Sequence, residues 1–196
     1  MNKKWIVWII VVVVIFFAYS SLKGKYNGMV TKEETANTEW ANVETQYQRR
    51  ADLIPNLVNV VKGYAEHEKE VLTGVTEARA KASSMTIDPT NLTEENMAAF
   101  SQAQGQLNSA LSRLLVTVEK YPDLKANQNF LELQAQLEGT ENRISVARKR
   151  FNEVVQDYNT YIRVFPNNML SGMFGFERKA LFKADEGAST APKVEF

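Results

Sequence analysis

The chain has 196 residues, of which 44% are apolar, and its 23 basic residues balance its 23 acidic residues. This size suits one folded domain with a hydrophobic core, together with a short targeting or anchoring segment. The balanced charge offers no large basic face for nucleic acid, and the lack of cysteine excludes disulfides, thiolate metal sites and a cysteine nucleophile.

An uncharged apolar run lies near the start of the chain. Residues 5–19 read WIVWIIVVVVIFFAY, and with residues 20–22 they approach the ~20 residues that a helix needs to cross the hydrocarbon core. A cleaved signal peptide is the alternative, but its apolar region is usually only ~7–15 residues long, and Ala18-Tyr19-Ser20 is a poor cleavage site. We therefore predict a single-pass membrane anchor over residues 1–22, in contact with the lipid bilayer through residues 5–22.

The lysines that flank this anchor give opposing indications of its orientation. Lys3 and Lys4 precede the apolar run, and Lys23, Lys25 and Lys32 follow it. Short cytoplasmic loops are rich in Lys and Arg, so the first pair favours a cytoplasmic N-terminus and the second group favours the reverse. We take the cytoplasmic N-terminus as the working prediction.

A tether and a first long helix are predicted next. Gly24 and Asn27-Gly28 interrupt helical patterning, so residues 23–30 are predicted to form a tether. From residue 31 onward, residues at alternating spacings of three and four mark the buried face of a helix. These residues are Trp40, Val43, Tyr47, Arg50, Ile54, Leu57, Val61, Tyr64, Glu68, Val71, Val75, Ala78 and Ala82. Proline removes a hydrogen bond and clashes with the preceding turn, so Pro55 is predicted to kink or break this helix.

Two further helices follow along the chain. Thr93 can cap the second helix, whose buried row runs from Met97 to Tyr121, and the third extends from Phe130 to Phe165. The predicted fold is all-α: an N-terminal transmembrane helix, then a long antiparallel up-and-down bundle of three to four helices with coiled-coil-like heptads over residues 31–165.

The segment 31–54 is left without a partner in this scheme. At 1.5 Å per residue, residues 56–84 and 93–121 each span about 44 Å and match as an antiparallel pair. A straight extension would expose an apolar stripe that includes Trp40 and Tyr47. We therefore expect the segment either to fold back as a fourth helix or to pair with another chain.

A charged cluster precedes the proline. Arg50 lies at a position of buried type beside Arg49 and Asp52, immediately before Pro55. One interpretation is a ligand pocket at the bend, where the proline frees backbone groups. This pocket would be the binding site of a ligand-binding or signalling module.

A structural role for Arg50 is the favoured alternative. Charged groups at seam positions more often specify packing than bind ligands, so Arg50 is expected to pair with a carboxylate such as Glu68 or Glu141. His67 is the chain's only histidine and lies outside any His-Glu-x-x-His pattern. We predict no metal, no cofactor and no catalytic residue.

An aromatic-rich tail is predicted over residues 166–196. Its apolar side chains are Met169, Leu170, Met173, Phe174, Phe176, Leu181 and Phe182. They are expected either to clamp onto the open end of the bundle or to contact a membrane or partner. The GASTAP run after Glu186 is expected to be flexible.

Long blocks of this sequence match those of a known family. They are YNGMV at 26–30, QYQRRADLIPNLV at 46–58, KGYAEHEKEVL at 62–72, VTEARAKA at 75–82, and YPDLKANQNFLELQAQLEGTENRISVARKRFNEVVQDYN at 121–159, followed by FP and GFERKALF. With these blocks the chain resembles the LemA family of bacterial membrane-anchored helical proteins over nearly its whole length. The resemblance implies an N-terminal membrane helix and an all-α bundle. It supplies no catalytic residues, and the roles proposed for the family concern membrane-associated processes, including magnetosome formation in one branch.

The expected function is that of a membrane-anchored, non-enzymatic scaffold or adaptor. Its expected partner is a membrane protein or a second copy of the chain. The alternative remains a ligand-binding or signalling module with a pocket near Pro55. The candidate partner or ligand surface comprises Trp40, Tyr47, Arg49, Arg50, Asp52, Pro55, Phe174 and Phe176.

Overall fold

The computed structural model describes residues 3–183, and within this range the chain is helical without strands. The helices are α1 (Lys3–Tyr64), α2 (Lys69–Ser84), α3 (Glu94–Val118), α4 (Pro122–Lys125), α5 (Gln128–Arg163) and α6 (Asn167–Phe174). The prediction of an all-α chain is confirmed for these residues. The GASTAP run, predicted to be flexible, lies outside the described residues.

Helix α1 runs without interruption from the apolar segment into the folded domain. It has 62 residues, which at 1.5 Å per residue is about 93 Å. The tether predicted over residues 23–30 is therefore wrong. A glycine within a helix costs only about 1 kcal/mol relative to alanine, which packing further along the same helix can offset.

Of the kink or break predicted at Pro55, the break is wrong, because α1 contains this proline, and the kink stays a prediction. A proline in a helix has no N–H to donate to the carbonyl four residues earlier. For Pro55 this is the carbonyl of Ala51. The Arg79 Nε of α2 donates a hydrogen bond to that carbonyl at 2.7 Å. A side chain from the neighbouring helix thus replaces the missing backbone donor.

Four long helices lie side by side, with successive helices running in opposite directions. Helix α5 is antiparallel to α1, because Tyr64 contacts Asn127 near one end and Lys32 pairs with Asp157 near the other. Helix α2 runs back along α1, where Arg79 of α2 contacts Ala51 of α1. Helix α3 packs on α2, and its Gln104 side chain donates to the carbonyl of Ala82. The N-terminal apolar run projects beyond this bundle, and its side chains are exposed.

The core is divided into two main clusters along the bundle axis. The distal cluster, far from the apolar run, is mostly aliphatic: Ile54, Leu57, Val61, Ala65, Leu72, Val75, Ala82, Leu107, Leu114, Val118, Leu124 and Phe130. The proximal cluster is rich in aromatic residues: Ala36, Trp40, Val43, Tyr47, Ile87, Leu92, Met97, Phe100, Ile144, Phe151, Val155 and Phe182. We call the parts of the bundle around them the distal half and the proximal half.

The segment 31–54 neither folds back nor needs another chain to cover it. It continues straight in α1, and Trp40 and Val43 are fully buried. Helix α5 extends along this segment, and Phe100 of α3 and Phe182 after α6 complete its cover. The expectation of a fourth, folded-back helix or an intermolecular pairing is therefore wrong.

Candidate functional site

Arg50 lies at the centre of a buried polar cluster and is only 2% exposed. Its Nη1 donates to Asn108 Oδ1 at 2.5 Å and to Glu141 Oε2 at 2.9 Å. Its Nη2 donates to Gln104 Oε1 at 2.6 Å, and the Tyr47 ring lies 5.1 Å from the guanidinium carbon. These contacts tie α1 to both α3 and α5, so this arginine is committed to contacts within the chain.

Of the two carboxylates suggested as partners for Arg50, Glu141 is the one that pairs with it. Glu68 instead accepts a hydrogen bond from the Tyr121 hydroxyl at 3.1 Å, near the far end of the bundle. This hydrogen bond to Glu68 is the main reason that the pKa of Tyr121 is raised. The ion pair between Arg50 and Glu141 joins α1 to α5 near the middle of the bundle.

Arg49 and Asp52, but not Arg50, line an open groove of ≈ 790 Å³. Its walls also include Tyr47, Phe100 and Gln104. We call it the Arg49 groove. Arg50 instead lines a smaller cavity of ≈ 310 Å³ between α1, α3 and α5. The charged residues predicted to share one pocket are therefore divided between two.

A half-buried carboxylate lies on the wall of the Arg49 groove. Burial raises the pKa of Glu44, and a contact with the Trp40 side chain opposes this in part. Beside it, Gln48 Nε2 donates to Asp52 Oδ1 at 2.7 Å. The groove thus presents Arg49 among acidic and amide groups, which suits a small polar ligand better than an apolar one.

The segment after α6, residues 176–183, is extended and lies along α5; we call it the C-terminal strap. Asn159 holds the strap at Lys179: Asn159 Nδ2 donates to the Lys179 carbonyl at 2.8 Å, and the Lys179 N–H donates to Asn159 Oδ1 at 3.0 Å. Asn152 holds Phe182 in the same way, with both distances at 2.9 Å. The two asparagines are seven residues apart, so they lie on one face of α5 two turns from each other.

The side chains of the strap enter the proximal half. The Phe182 ring is stacked 5.9 Å from Trp40 and makes an edge contact 5.6 Å from Phe151. The Lys179 Nζ is buried, donates to the Pro89 carbonyl at 2.7 Å and lies 3.4 Å from a Glu33 carboxylate oxygen. The strap is therefore an integral part of the proximal core.

Tyr158 anchors the beginning of the strap by donating its hydroxyl to the Glu177 carbonyl at 2.9 Å. Burial raises the pKa of Tyr158 strongly, and the negative charges of Glu33 and Glu177 raise it further. The neutral phenol is therefore the form that the folded protein holds. The sequence pattern did not predict the contacts of the strap with Asn152, Tyr158 and Asn159. The seven-residue spacing of the two asparagines was the signal that could have indicated them.

The remaining predicted surface residues separate into buried and exposed groups. Trp40 and Tyr47 are buried in the proximal half, so they cannot form a surface for a partner. Phe174 is partly exposed and lies 5.0 Å from the Tyr26 ring, and Phe176 lies 5.7 Å from that ring. The structure therefore brings Phe174 and Phe176 together next to α1, far from the Arg49 groove.

The chemical groups in residues 4–183 do not converge on a metal-binding arrangement, since no three His, Asp or Glu side chains come together there. The most deeply buried charged and amide groups, at Arg50, Asn167 and Lys179, bind other parts of the same chain. These hydrogen bonds hold the helices and the strap in register.

Comparison with known proteins gives one family and several relatives. The sequence matches the LemA family over residues 39–196. Protein LemA of Metamycoplasma hominis is 23% identical, over 91% of this chain and 76% of the relative. Magnetosome protein MamQ 2 of Paramagnetospirillum magneticum is 27% identical, over 91% of this chain and 71% of the relative. Magnetosome protein MamQ of Magnetospirillum gryphiswaldense is 26% identical, over 87% of this chain and 69% of the relative.

Proposed function

Because the chain belongs to the LemA family, we propose that it is a non-enzymatic scaffold or adaptor anchored in the cell membrane by residues 5–22. The observation that carries this proposal is the continuity of α1. The same helix that holds the exposed apolar run also supplies buried residues to both halves of the bundle. The run has a mean hydropathy of 2.5 over its most apolar window, and none of that window is buried by the rest of the chain.

A continuous helix makes the anchor mechanically different from a flexible tether. A tethered domain samples many heights and orientations above a membrane, whereas a domain built around the anchoring helix keeps one. Residues near Tyr64 lie 42 positions beyond Leu22 along α1, which is about 63 Å. A scaffold of this kind presents its distal end at a fixed distance from the bilayer.

The use of buried polar groups supports a binding role rather than catalysis. General acid-base catalysis needs a titratable group within reach of a substrate, and nucleophilic catalysis needs a nucleophile beside a base. The buried charges of Arg50 and Lys179 are instead paired with carboxylates of the same chain, Glu141 and Glu33. We therefore propose that the protein acts through its outer surface.

The outer faces of the bundle carry isolated apolar side chains that a partner could cover. Val116 on α3 and Val146 on α5 are each about two-thirds exposed, and Tyr64 and Leu131 are partly exposed near the distal end. We propose that the partner, a membrane protein or a second copy, contacts these outer faces. Trp40 and Tyr47 are excluded from this surface because they are buried.

Site-specific photo-cross-linking tests the adaptor proposal. A photoreactive amino acid replaces Tyr64, Val116 or Val146 in the full-length protein in cells, and the adducts are identified by mass spectrometry. We expect at least one position to give a discrete adduct, with another membrane protein or a second copy, that is lost when residues 5–22 are replaced by a secretion signal. Trp40 is the matched control and gives no adduct because it is buried. An absence of adducts at all three positions contradicts the proposal.

A second candidate function is ligand binding in the Arg49 groove, favoured by the exposed Arg49 beside Asp52. A ligand that binds the folded state raises the thermal midpoint by mass action. Screening small polar molecules should then give a shift that Arg49→Ala abolishes and Arg143→Ala leaves unchanged. Because Arg50 does not line this groove, it is not suited to test ligand binding there. If no compound shifts the midpoint, the groove has no ligand among those screened and this candidate loses its support.

We also propose that the N-terminus is cytoplasmic, on the basis of Lys3 and Lys4. The chain has no cysteine, so single cysteines can report the side of the membrane. An impermeant thiol reagent applied to intact spheroplasts should label Lys62→Cys and leave Asn2→Cys unlabelled. The opposite labelling pattern reverses the orientation.

A further inference from the structure

Large apolar side chains are exposed at the end of the bundle next to the apolar run. Phe165 is 80% exposed, Met173 70% and Met169 65%. Met169 and Met173 are four residues apart on α6, so they lie on one face of that helix. Phe165 precedes α6 in the turn from α5. Such a group of apolar side chains marks a contact surface.

The opposite face of α6 is fixed to the rest of the bundle. The Ser171 hydroxyl donates to the Ile162 carbonyl at 3.0 Å, and Asn167 Nδ2 donates to the Tyr161 carbonyl at 2.9 Å. Asn167 and Ser171 are buried. The exposed face is therefore held in a fixed direction, and little conformational entropy is lost when something covers it.

Contacts with α1 give the position of this surface along the helix. Lys25 Nζ lies 3.2 Å from Asn167 Oδ1, and the Tyr26 and Phe174 rings are 5.0 Å apart. Tyr26 is four residues beyond Leu22, the last residue of the apolar run, which is about 6 Å along the helix axis. Helix α6 therefore lies beside the first turns of α1 that follow this run.

The thickness of a bilayer places α6 at its interface. Residues 5–22 span about 27 Å, whereas the hydrocarbon core is ~30 Å thick and each interfacial region adds roughly 5–7 Å. The end of the apolar run thus lies at the hydrocarbon boundary, and Tyr26 lies within the interfacial region. An aromatic residue is well suited to that depth, as is a lysine that reaches lipid phosphates, here Lys23.

We propose that Phe165 and the outer face of α6, with Met169 and Met173, form a second membrane contact that inserts into the lipid interface. We call this surface the interfacial foot. The proposal rests on the proposed anchoring by residues 5–22. The occupant is lipid because the foot lies at the height of the headgroups, where a second protein would first have to displace them. With the anchor and the foot both in contact with the bilayer, the bundle keeps one tilt relative to the membrane.

Fluorescent labelling at single cysteines tests the foot in the full-length protein. The environment-sensitive dye NBD is attached at Met169→Cys or Met173→Cys, and the protein is placed in phosphatidylcholine nanodiscs with or without nitroxide-labelled lipid. Val146→Cys is the aqueous control, because it is exposed and lies 17 residues before the end of α5, about 26 Å further from the membrane. Val12→Cys, in the middle of the apolar run, reports the anchor itself.

If the interfacial foot inserts into lipid, NBD emission at positions 169 and 173 should be blue-shifted. Nitroxides at the headgroup and in the shallow acyl chain should quench these two positions at least twice as strongly as they quench position 146. Quenching at position 12 but only the aqueous level at 169 and 173 overturns the foot and leaves the anchor in place. A blue shift without quenching at 169 and 173 also overturns it, because protein rather than lipid then covers the face. No quenching at position 12 by nitroxides placed deep in the acyl chains overturns the anchoring and the foot with it.

Discussion

The distal and proximal halves of the bundle are built by different means. In the distal half, α1, α2, α3 and α5 bury a mostly aliphatic cluster along regular helical seams. In the proximal half, α2 has ended and an extended strap takes part in the core beside an aromatic cluster. Helices satisfy their own backbone groups, whereas an extended segment needs donors and acceptors from elsewhere.

Asparagine side chains supply these donors and acceptors in the proximal half. A carboxamide carries both a donor and an acceptor, so one side chain can bind the N–H and the carbonyl of the same residue. Asn152 and Asn159 do this for Phe182 and Lys179. Polar residues on α5 are therefore as important for formation of the proximal core as its apolar seam.

The largest expected effect comes from Phe182→Ala, which removes the aromatic ring that closes the proximal core. Phenylalanine to alanine at a buried site costs about 3–5 kcal/mol, and a change of this size lowers the melting temperature of a domain like this one by roughly 10 °C. Circular dichroism of the full-length protein in nanodiscs measures it. Leu181→Ala is the matched control on the partly exposed neighbour and should shift the midpoint by less than about 2 °C. Equal effects of both changes would show that the strap is not part of the core.

Arg50→Ala should have the next largest effect on stability. It leaves the side-chain oxygens of Gln104 and Asn108 without the donor that Arg50 provides, and it opens a cavity between the halves. Loss of one partner of a buried ionic network costs about 3 kcal/mol. Glu141→Gln should cost about 1 kcal/mol or less, since this carboxylate is half-exposed and solvent screens it. Urea unfolding of both variants checks the order. A larger loss for Glu141→Gln would contradict the assignment of Arg50 as the centre of the cluster.

Asn159→Ala should loosen the strap and spare the distal half. It removes two hydrogen bonds and leaves the N–H and the carbonyl of Lys179 unpaired, at a cost of about 2 kcal/mol. Hydrogen exchange should therefore accelerate at Lys179 and Phe182 and stay unchanged in α2. Asn142→Ala, on an exposed site of α5, is the control. Faster exchange throughout the bundle would mean that the two halves unfold together.

Tyr158→Phe should have a smaller effect at neutral pH, about 1 kcal/mol for one hydrogen bond, and a distinct effect at alkaline pH. The folded state raises the pKa of Tyr158 above its ordinary value of 10.0, so it favours the neutral phenol. The stability that this preference contributes is complete below pH 10 and is lost as the pH rises above it. The wild type should therefore lose stability above pH 10 more steeply than Tyr158→Phe. Parallel pH profiles would contradict a buried phenol.

Gly28→Ala should have the smallest effect of the set. The added Cβ would contact the Tyr161 hydroxyl, so the helix-stabilising gain of alanine is offset by displacement of that ring. Gly24→Ala has no atom within 4 Å and should stabilise α1 by up to about 1 kcal/mol. Combining Gly28→Ala with Tyr161→Phe should recover part of the gain. If both single changes stabilise equally, α1 and α5 are not in contact at this level.

The sequence predicted the distal half better than the proximal half for identifiable reasons. Periodicity marks helical seams, and a cap such as Thr93, which accepts a hydrogen bond from the Asn96 N–H, can be recognised locally. The strap has no periodicity, and its hydrogen bonds with Asn152 and Asn159 join residues 30 and 20 positions apart. In the continuous α1, the carbonyl that Pro55 leaves without a backbone donor is that of Ala51, and its donor, Arg79, lies 28 residues after Ala51. Local rules for proline and glycine therefore predicted a kink or break and a tether, whereas α1 is helical through both positions.

The candidate site was predicted only as far as residue type and position allowed. Arg50 at a seam position indicated a buried pair, and Glu141 was one of the two partners named. Seam spacing could not reveal that Arg49 and Arg50 line different cavities, because that depends on where α3 and α5 lie around α1. Trp40 and Tyr47 were placed on a surface because the sequence pattern could not show that Phe182 packs on Trp40 and that Phe100 packs on Tyr47.

One uninterrupted helix joins the N-terminal apolar run to the bundle, and a distance measurement between spin labels can test this continuity. Labels at Ser21→Cys and Asn42→Cys in nanodiscs span the predicted tether, and a second pair at Asn42→Cys and Lys62→Cys lies within the bundle. A continuous helix predicts one narrow distribution centred near about 32 Å for the first pair, as narrow as that of the second. A broad distribution for the first pair beside a narrow one for the second would show a flexible tether, and α1 would then be interrupted between residues 21 and 42.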